Sequence, residues 1–172
     1  MSYNQPAAFL SELIYDRSRV NATTVGSIFI DSKGTAWKLE KFLEGKNSDG
    51  TPNGYQGAVF TNADTPNGQV TIVSQGTEPA SYLDWINDFQ MGGGQAPSQF
   101  QSAQDLYLFA SNLAASTNAP LLATGHSLGG SLSQLLGAKY GVEATTFNAY
   151  GVGNLLPGLG IRLEVSTTSP TV

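Results

Sequence analysis

Cysteine is absent from this chain, and histidine occurs once, as His126. Without cysteine there is no disulfide framework, no thiolate nucleophile and no cysteine-built metal site. A single histidine likewise excludes a histidine-rich metal cluster. A reaction that needs a histidine base from within the chain therefore has one candidate, His126.

Charge is scarce in this sequence. Charged residues make up 12% of the chain, the net charge is −5, and there is no run of Lys or Arg. This pattern argues against nucleic acid as a partner, because phosphates need clustered cations. No window approaches the roughly 18 apolar residues that predict a transmembrane helix. Residues 1–20 lack a basic start followed by a long apolar run, so they do not predict a secretion signal. The compartment stays unknown, with cytoplasmic residence and export by a signal-independent route both open.

The length of 172 residues suits one compact domain, 1–172, with enough chain to bury a core. Apolar residues at helical spacing predict a short amphipathic helix over residues 6–18. The period then changes to that of strands, which predicts a β-hairpin over 25–43 and single strands at 55–61 and 69–74. Turn-rich loops separate these strands.

The second half of the chain alternates helices and strands. A broad apolar stripe predicts a packed helix over 97–116, followed by a short buried strand at 120–124, a helix over 128–140 and a strand at 144–149. Such alternation implies right-handed crossovers between parallel strands. The predicted fold class is α/β, with a mostly parallel sheet, helices on both faces and an antiparallel N-terminal hairpin.

One short motif carries chemistry. The sequence GHSLG at residues 125–129 matches G-x-S-x-G and lies between a predicted strand and a predicted helix. This setting is that of a nucleophile elbow, whose sharp turn exposes the hydroxyl of the central serine, here Ser127. Gly125 and Gly129 are expected as flanking residues because a Cβ would clash with a neighbouring strand or helix, and the N–H groups at the helix start suit a developing oxyanion. The alternative is a tight turn in which Ser127 only caps the helix.

Three sequence blocks give the motif a wider context. They are GHSLGGSLSQLLGAKYG at 125–141, VSQGT at 73–77 with DWIND at 84–88, and TFNAYG at 146–151. Together and in this order they resemble the class 3 lipase family, the fungal-type triacylglycerol lipases and their bacterial relatives, within the α/β-hydrolase superfamily. The resemblance implies an α/β-hydrolase-like fold and a carboxylic ester hydrolase of lipase or phospholipase type, with Ser127 as nucleophile and a lipid or other ester as substrate.

The resemblance also implies roles for two backbone groups. By position, Thr77 and Leu128 would offer the N–H groups of the oxyanion hole. The sequence departs from the family at Gln75, where an arginine is usual, but that arginine is not catalytic in the resemblance. The implied acyl transfer requires no cofactor and no metal, and the loops around Asp49 and Asp64 lack the dense oxygen ligands of a calcium site.

Residues 81–91 occupy the place of the family's lid helix, and the glycines at 92–94 would suit a hinge. The alternative is an ordinary amphipathic surface helix followed by a loop, and both interpretations stay open. Asp84 and Asp88 in this segment are expected to be local caps or structural hydrogen-bond acceptors rather than acid–base groups.

The acid and the histidine of a hydrolase triad are not where they are expected. In α/β-hydrolases both follow the serine, yet the segment after Ser127 contains no His and no Asp, and its carboxylates are Glu143, expected at the end of the elbow helix, and Glu164. The side chain of His126 leaves the backbone in a different direction from that of Ser127, so a packing role is expected for it. The chain is therefore expected to be the N-terminal portion of a hydrolase domain, truncated at its C-terminal end, with little turnover alone.

Three explanations of the missing groups remain. The chain is a fragment of a longer enzyme, or a piece to which a second chain supplies the acid and the histidine, or an inactive relative that serves as a noncatalytic lipid-binding or assembly module. The fragment is the favoured explanation. The oligomeric state, the acyl chain length and the lipid class are not determined by the sequence.

Overall fold

The computed structural model describes residues 5–76 and 98–161. Its helices are α1 (Gln5–Leu13), α2 (Ser98–Thr117) and α3 (Leu128–Tyr140), with short 3-10 helices at Ala22–Thr24 and Pro157–Leu159. Its strands are β1 (Ile28–Ile30), β2 (Ala36–Lys46), β3 (Pro52–Asn62), β4 (Val70–Ser74), β5 (Leu121–His126) and β6 (Glu143–Phe147). Helix α3 has the predicted bounds, whereas β2 and β3 are longer than the sequence pattern predicts.

The described strands form a single six-stranded sheet in the order β1-β2-β3-β4-β5-β6. The pairs β1–β2, β2–β3 and β3–β4 are antiparallel, while the pairs β4–β5 and β5–β6 are parallel. The α/β class is confirmed, but the sheet is partly rather than mostly parallel. Short turns join β1 to β2, β2 to β3 and β3 to β4, and such connections can only produce antiparallel pairs.

A buried carboxylate organises the turn between β1 and β2. Asp31 accepts hydrogen bonds from the N–H groups of Lys33 (2.9 Å) and Thr35 (3.0 Å) and from Nε1 of Trp37 (3.1 Å). Burial raises the pKa of this carboxyl, but the hydrogen bonds from Trp37, Thr35 and Lys33 together outweigh burial and leave the pKa below its ordinary value. The turn is therefore held by a carboxylate whose ionised form these three bonds favour.

Two apolar clusters cover the two faces of the sheet. One cluster joins α1 to the sheet and includes Leu10, Leu13, Ile14, Trp37, Leu39, Phe60 and Val73. The other joins α2 and α3 to the opposite face and includes Phe100, Ala103, Leu106, Val70, Ile72, Leu128, Leu132 and Leu135. Val70 and Ile72 alternate with Val73 along β4, as the period of a strand requires. The prediction of helices on both faces is confirmed, and none of the described helices is long and apolar enough to span a bilayer.

A buried pair of hydroxyl groups docks α1 on the strand that leads into the GHSLG motif. Oγ of Ser11 and Oγ1 of Thr124 lie 2.9 Å apart. The hydroxyl of Thr124 donates to the carbonyl of Thr145 at 2.7 Å. Because a threonine hydroxyl has one proton, Ser11 is the donor to Thr124. Helix α1 and strands β5 and β6 are thereby joined in one chain of hydrogen bonds.

Candidate active site

Ser127 lies in the sharp turn between β5 and α3. Its φ is 55° and its ψ is −126°, a conformation that residues with a Cβ rarely adopt and that costs about 1–3 kcal/mol. Its N–H donates to the carbonyl of Phe147 at 3.0 Å, which extends the pairing of β5 and β6. The side chain makes no capping hydrogen bond to α3. The alternative that Ser127 only caps the helix is therefore wrong.

The two glycines beside Ser127 stand where backbones touch. A Cβ on Gly125 would lie 2.7 Å from the carbonyl oxygen of Ser74, and it would overlap the backbone of Gly129. A Cβ on Gly129 would overlap the same oxygen of Ser74 and lie 2.8 Å from the carbonyl carbon of Gln75. Helix α3 therefore starts directly against the carboxyl end of β4, as the motif predicts for residues without a Cβ.

The carboxyl end of β4 reaches the elbow at Gly76. A Cβ on Gly76 would overlap the carbonyl oxygen of His126 and lie 3.1 Å from the Cβ of Ser127. The N–H of Gly76 donates to the hydroxyl of Tyr15 at 3.0 Å. The end of β4 and the turn that bears Ser127 are thus in direct contact.

The first turn of α3 lies immediately behind the serine. The first N–H groups of a helix have no partner within the helix, and the N–H of Leu128 has no acceptor among residues 5–76 and 98–161. The side chain of Leu128 is buried in the apolar cluster on this face of the sheet. Thr77, the other predicted oxyanion residue, lies outside the described residues, as do the lid segment 81–91, with Asp84 and Asp88, and Glu164.

His126 is engaged away from Ser127. Its Nε2 lies 3.3 Å from Nδ2 of Asn148, and its ring meets the ring of Tyr15 edge-on, with centroids 6.3 Å apart. The part of the chain that the structure describes shows no hydrogen bond between His126 and Ser127. Glu143 is exposed at the start of β6 rather than at the end of the elbow helix, because α3 already ends at Tyr140. Neither residue is therefore placed to act as the base or acid of a triad.

Tyr15 is a neighbour of the elbow that the sequence analysis did not identify. It follows α1 and reaches Gly76, a residue 61 positions further along the chain. Burial of its hydroxyl raises the pKa of Tyr15, and the bond from Gly76 lowers it by less. No local pattern could have found it, because the contact exists only once α1 packs on the sheet.

The residues that the structure describes include no group of three or more His, Asp or Glu side chains that could hold a metal ion. The two loop carboxylates considered for calcium accept backbone hydrogen bonds, Asp49 within its own turn and Asp64 from the start of β2. Asp49 accepts from the N–H of Thr51 at 2.9 Å, and Asp64 accepts from the N–H of Ala36 at 2.9 Å. These carboxylates serve the loops between strands.

A mixed sheet with helices on both faces, and a strand–turn–helix elbow at its parallel edge, define a lipase-like α/β-hydrolase fold. The chain belongs to the family of the Tle-like phospholipase domain, which matches residues 6–155. The predicted resemblance to a lipase family of the α/β-hydrolase superfamily is thereby confirmed.

Two known proteins show how far the likeness extends. A segment of 47 residues is 51% identical to a Candida glabrata protein named "Putative lipase ATG15", and it covers 27% of this chain and 9% of that protein. The solved structure of a deletion mutant of the Rhizomucor miehei lipase propeptide complex matches 85% of this chain and 52% of its own chain, with 15% identity and a TM-score of 0.50. At that identity the solved structure supports the fold alone. The chain thus spans about half the length of the solved lipase and a small part of the curated relative.

Proposed function

We propose that this protein hydrolyses carboxylic esters of lipids, as a lipase or phospholipase, with Ser127 as the nucleophile. The observation that carries the proposal is the backbone of Ser127, held at φ 55° with its side chain free of the helix cap. A fold retains a strained serine at a strand–helix turn when the strain serves a purpose, and exposing a nucleophile is such a purpose.

The proposed reaction is acyl transfer in two steps. The hydroxyl oxygen of Ser127 attacks the ester carbonyl carbon, its proton passes to a base, and the carbonyl oxygen gains negative charge. The N–H groups of Leu128 and Thr77 are proposed to stabilise this oxyanion. The proton then goes to the departing alcohol, and water releases the acid from the serine in the reverse sequence of transfers.

The base for this reaction is proposed to come from outside residues 1–172. The chain contains one histidine, and that histidine faces Asn148 and Tyr15. A further segment, or a second chain, would supply the acid and the histidine. In well-studied serine hydrolases, removal of the triad serine or histidine lowers kcat by on the order of 10⁶-fold. The remaining rate is still about 10³–10⁴-fold above that of the uncatalysed reaction in water.

The substrate class is proposed to be acylglycerols or phospholipids. The family match to a phospholipase domain supports this choice, as does the name of the fungal relative. No cofactor is proposed, because acyl transfer through a serine requires none.

A noncatalytic lipid-binding module is the second candidate, and one observation favours it. His126, the chain's single histidine, is not hydrogen-bonded to Ser127 in the part of the molecule that is described. A scaffold that lost its base would keep the elbow geometry while losing turnover.

Hydrolysis of short-chain and long-chain esters by the full-length protein separates the two candidates. We expect Ser127→Ala to lower kcat by at least about 10³-fold, while Ser111→Ala, on the exposed face of α2, leaves it unchanged. Equal activity of Ser127→Ala and the wild type would refute the nucleophile. Absence of hydrolysis in the wild type, together with binding to lipid vesicles, would support the noncatalytic module. Rapid labelling of Ser127 by a fluorophosphonate in residues 1–172 alone would contradict the external base.

A further inference from the structure

Tyr15 contacts two residues beside Ser127, the backbone of Gly76 and the ring of His126. Its hydroxyl accepts the N–H of Gly76 at the end of β4, and its ring lies edge-on to His126 at the end of β5. From these contacts we propose that Tyr15 is a positioning residue that holds the end of β4 against the nucleophile elbow. This inference rests on the proposed function, since it concerns the same reaction.

The position of Tyr15 is itself fixed by α1. Leu13 and Ile14, the two residues before it, are buried in the cluster that joins α1 to the sheet. Ser11 is hydrogen-bonded to Thr124 on β5 at 2.9 Å. Because the helix before it is docked in this way, the side chain of Tyr15 is held in place before any substrate binds.

Gly76 is the residue on which the hydroxyl acts. The point where its Cβ would stand lies 2.8 Å from the hydroxyl oxygen of Tyr15 and 3.1 Å from the Cβ of Ser127. Gly76 is buried, and Tyr15 is the acceptor of its N–H among the described residues. The hydroxyl therefore anchors a backbone segment that is in contact with the nucleophile.

The consequence for catalysis follows from chain continuity. Thr77, proposed to donate one N–H to the oxyanion, is the residue directly after Gly76. A donor displaced by about 1 Å from the developing charge can cost about 10²-fold in rate. Because such a donor acts on the transition state more than on bound substrate, its displacement lowers kcat more than it raises KM.

The experiment compares Tyr15→Phe with wild type in the full-length protein, using p-nitrophenyl butyrate as substrate. Phenylalanine keeps the ring against His126 and removes only the hydroxyl. We expect kcat per fluorophosphonate-titrated site to fall between about 10-fold and 100-fold with KM within about 2-fold, and the Gly76 amide to exchange faster. Tyr107→Phe, which alters a ring stacked on Tyr140 on the other face, is the matched control and is expected to leave kcat unchanged.

Each other outcome overturns one proposal. A wild-type kcat in Tyr15→Phe, in an enzyme that Ser127→Ala inactivates, would refute the positioning role and leave the nucleophile intact. A fall in melting temperature with unchanged kcat per titrated site would show that Tyr15 serves stability alone. Hydrolysis that survives Ser127→Ala would instead refute the proposed function itself.

Discussion

Replacing Gly129 with alanine tests whether the contact between α3 and β4 is set by backbone atoms. The added Cβ would overlap the carbonyl oxygen of Ser74 and lie 2.7 Å from its carbonyl carbon and 2.8 Å from that of Gln75. Carbon atoms in contact normally stand about 3.5–4.0 Å apart. All three are backbone atoms, two of Ser74 at the end of β4 and one of Gln75 just after it. Strand β4 pairs with β3 on one side and β5 on the other, so these atoms cannot rotate away as a side chain can.

Two effects of opposite sign decide the result. Alanine is favoured over glycine in a helix by about 1 kcal/mol. Forcing an extra carbon into a packed site costs about 1–3 kcal/mol, and the upper end applies where only backbone can yield. The free energy of unfolding of Gly129→Ala should therefore fall by about 2 kcal/mol, which for a domain of this size lowers the melting temperature by about 4–8 °C.

Thermal unfolding followed by circular dichroism measures this change. Gly153→Ala is the control, since a Cβ on Gly153 has no atom within 4 Å and should alter stability by less than about 0.5 kcal/mol. A melting temperature of Gly129→Ala equal to or above that of the wild type would show that α3 can move away from β4 at little cost. The steric explanation of the elbow glycine would then be wrong.

Two further changes test the hairpin turn and the backbone strain at Ser127. Asp31→Asn should lower the free energy of unfolding by about 1–3 kcal/mol at pH 7, because the amide cannot accept every bond that the carboxylate accepts. The pKa of Asp31 is lowered in the folded state. Its contribution to the free energy of unfolding is therefore complete above the ordinary pKa and is lost as the pH falls through the folded value. Urea unfolding should accordingly show a smaller difference in stability between Asp31→Asn and the wild type at pH 3 than at pH 7. Ser127→Gly should raise the melting temperature by a few degrees, because glycine adopts φ 55° without strain. If Ser127 is the nucleophile, as proposed, the same change removes the attacking hydroxyl and hydrolysis with it. Equal melting temperatures of Ser127→Gly and Ser127→Ala would contradict stored strain at this residue.

Some features of this molecule follow from local sequence. Helix α3 begins at Leu128 and ends at Tyr140 as predicted, because a leucine stripe and the glycine after it are signals carried within one segment. The need for glycine at positions 125 and 129 follows from the motif in the same way, since a strand–turn–helix elbow brings backbones together wherever it occurs. The lid interpretation of 81–91 stays a prediction.

Other features depend on how distant segments pair. The size of the antiparallel part of the sheet was underestimated, because hydrophobic period identifies a strand but not its neighbour or direction. Glu143 was expected on a helix and lies on β6, as element ends are decided by packing and capping together.

The sequence by itself determined the α/β class, the elbow motif and the serine within it, because each depends on residues close together in the chain. Only the tertiary structure decided that the Ser127 side chain leaves the helix uncapped and that His126 turns toward Asn148. It also decided that Tyr15 reaches Gly76. These contacts arise because the C-terminal ends of α1, β4 and β6 meet beside the turn after β5, and no pattern within a single segment records which residues will meet there.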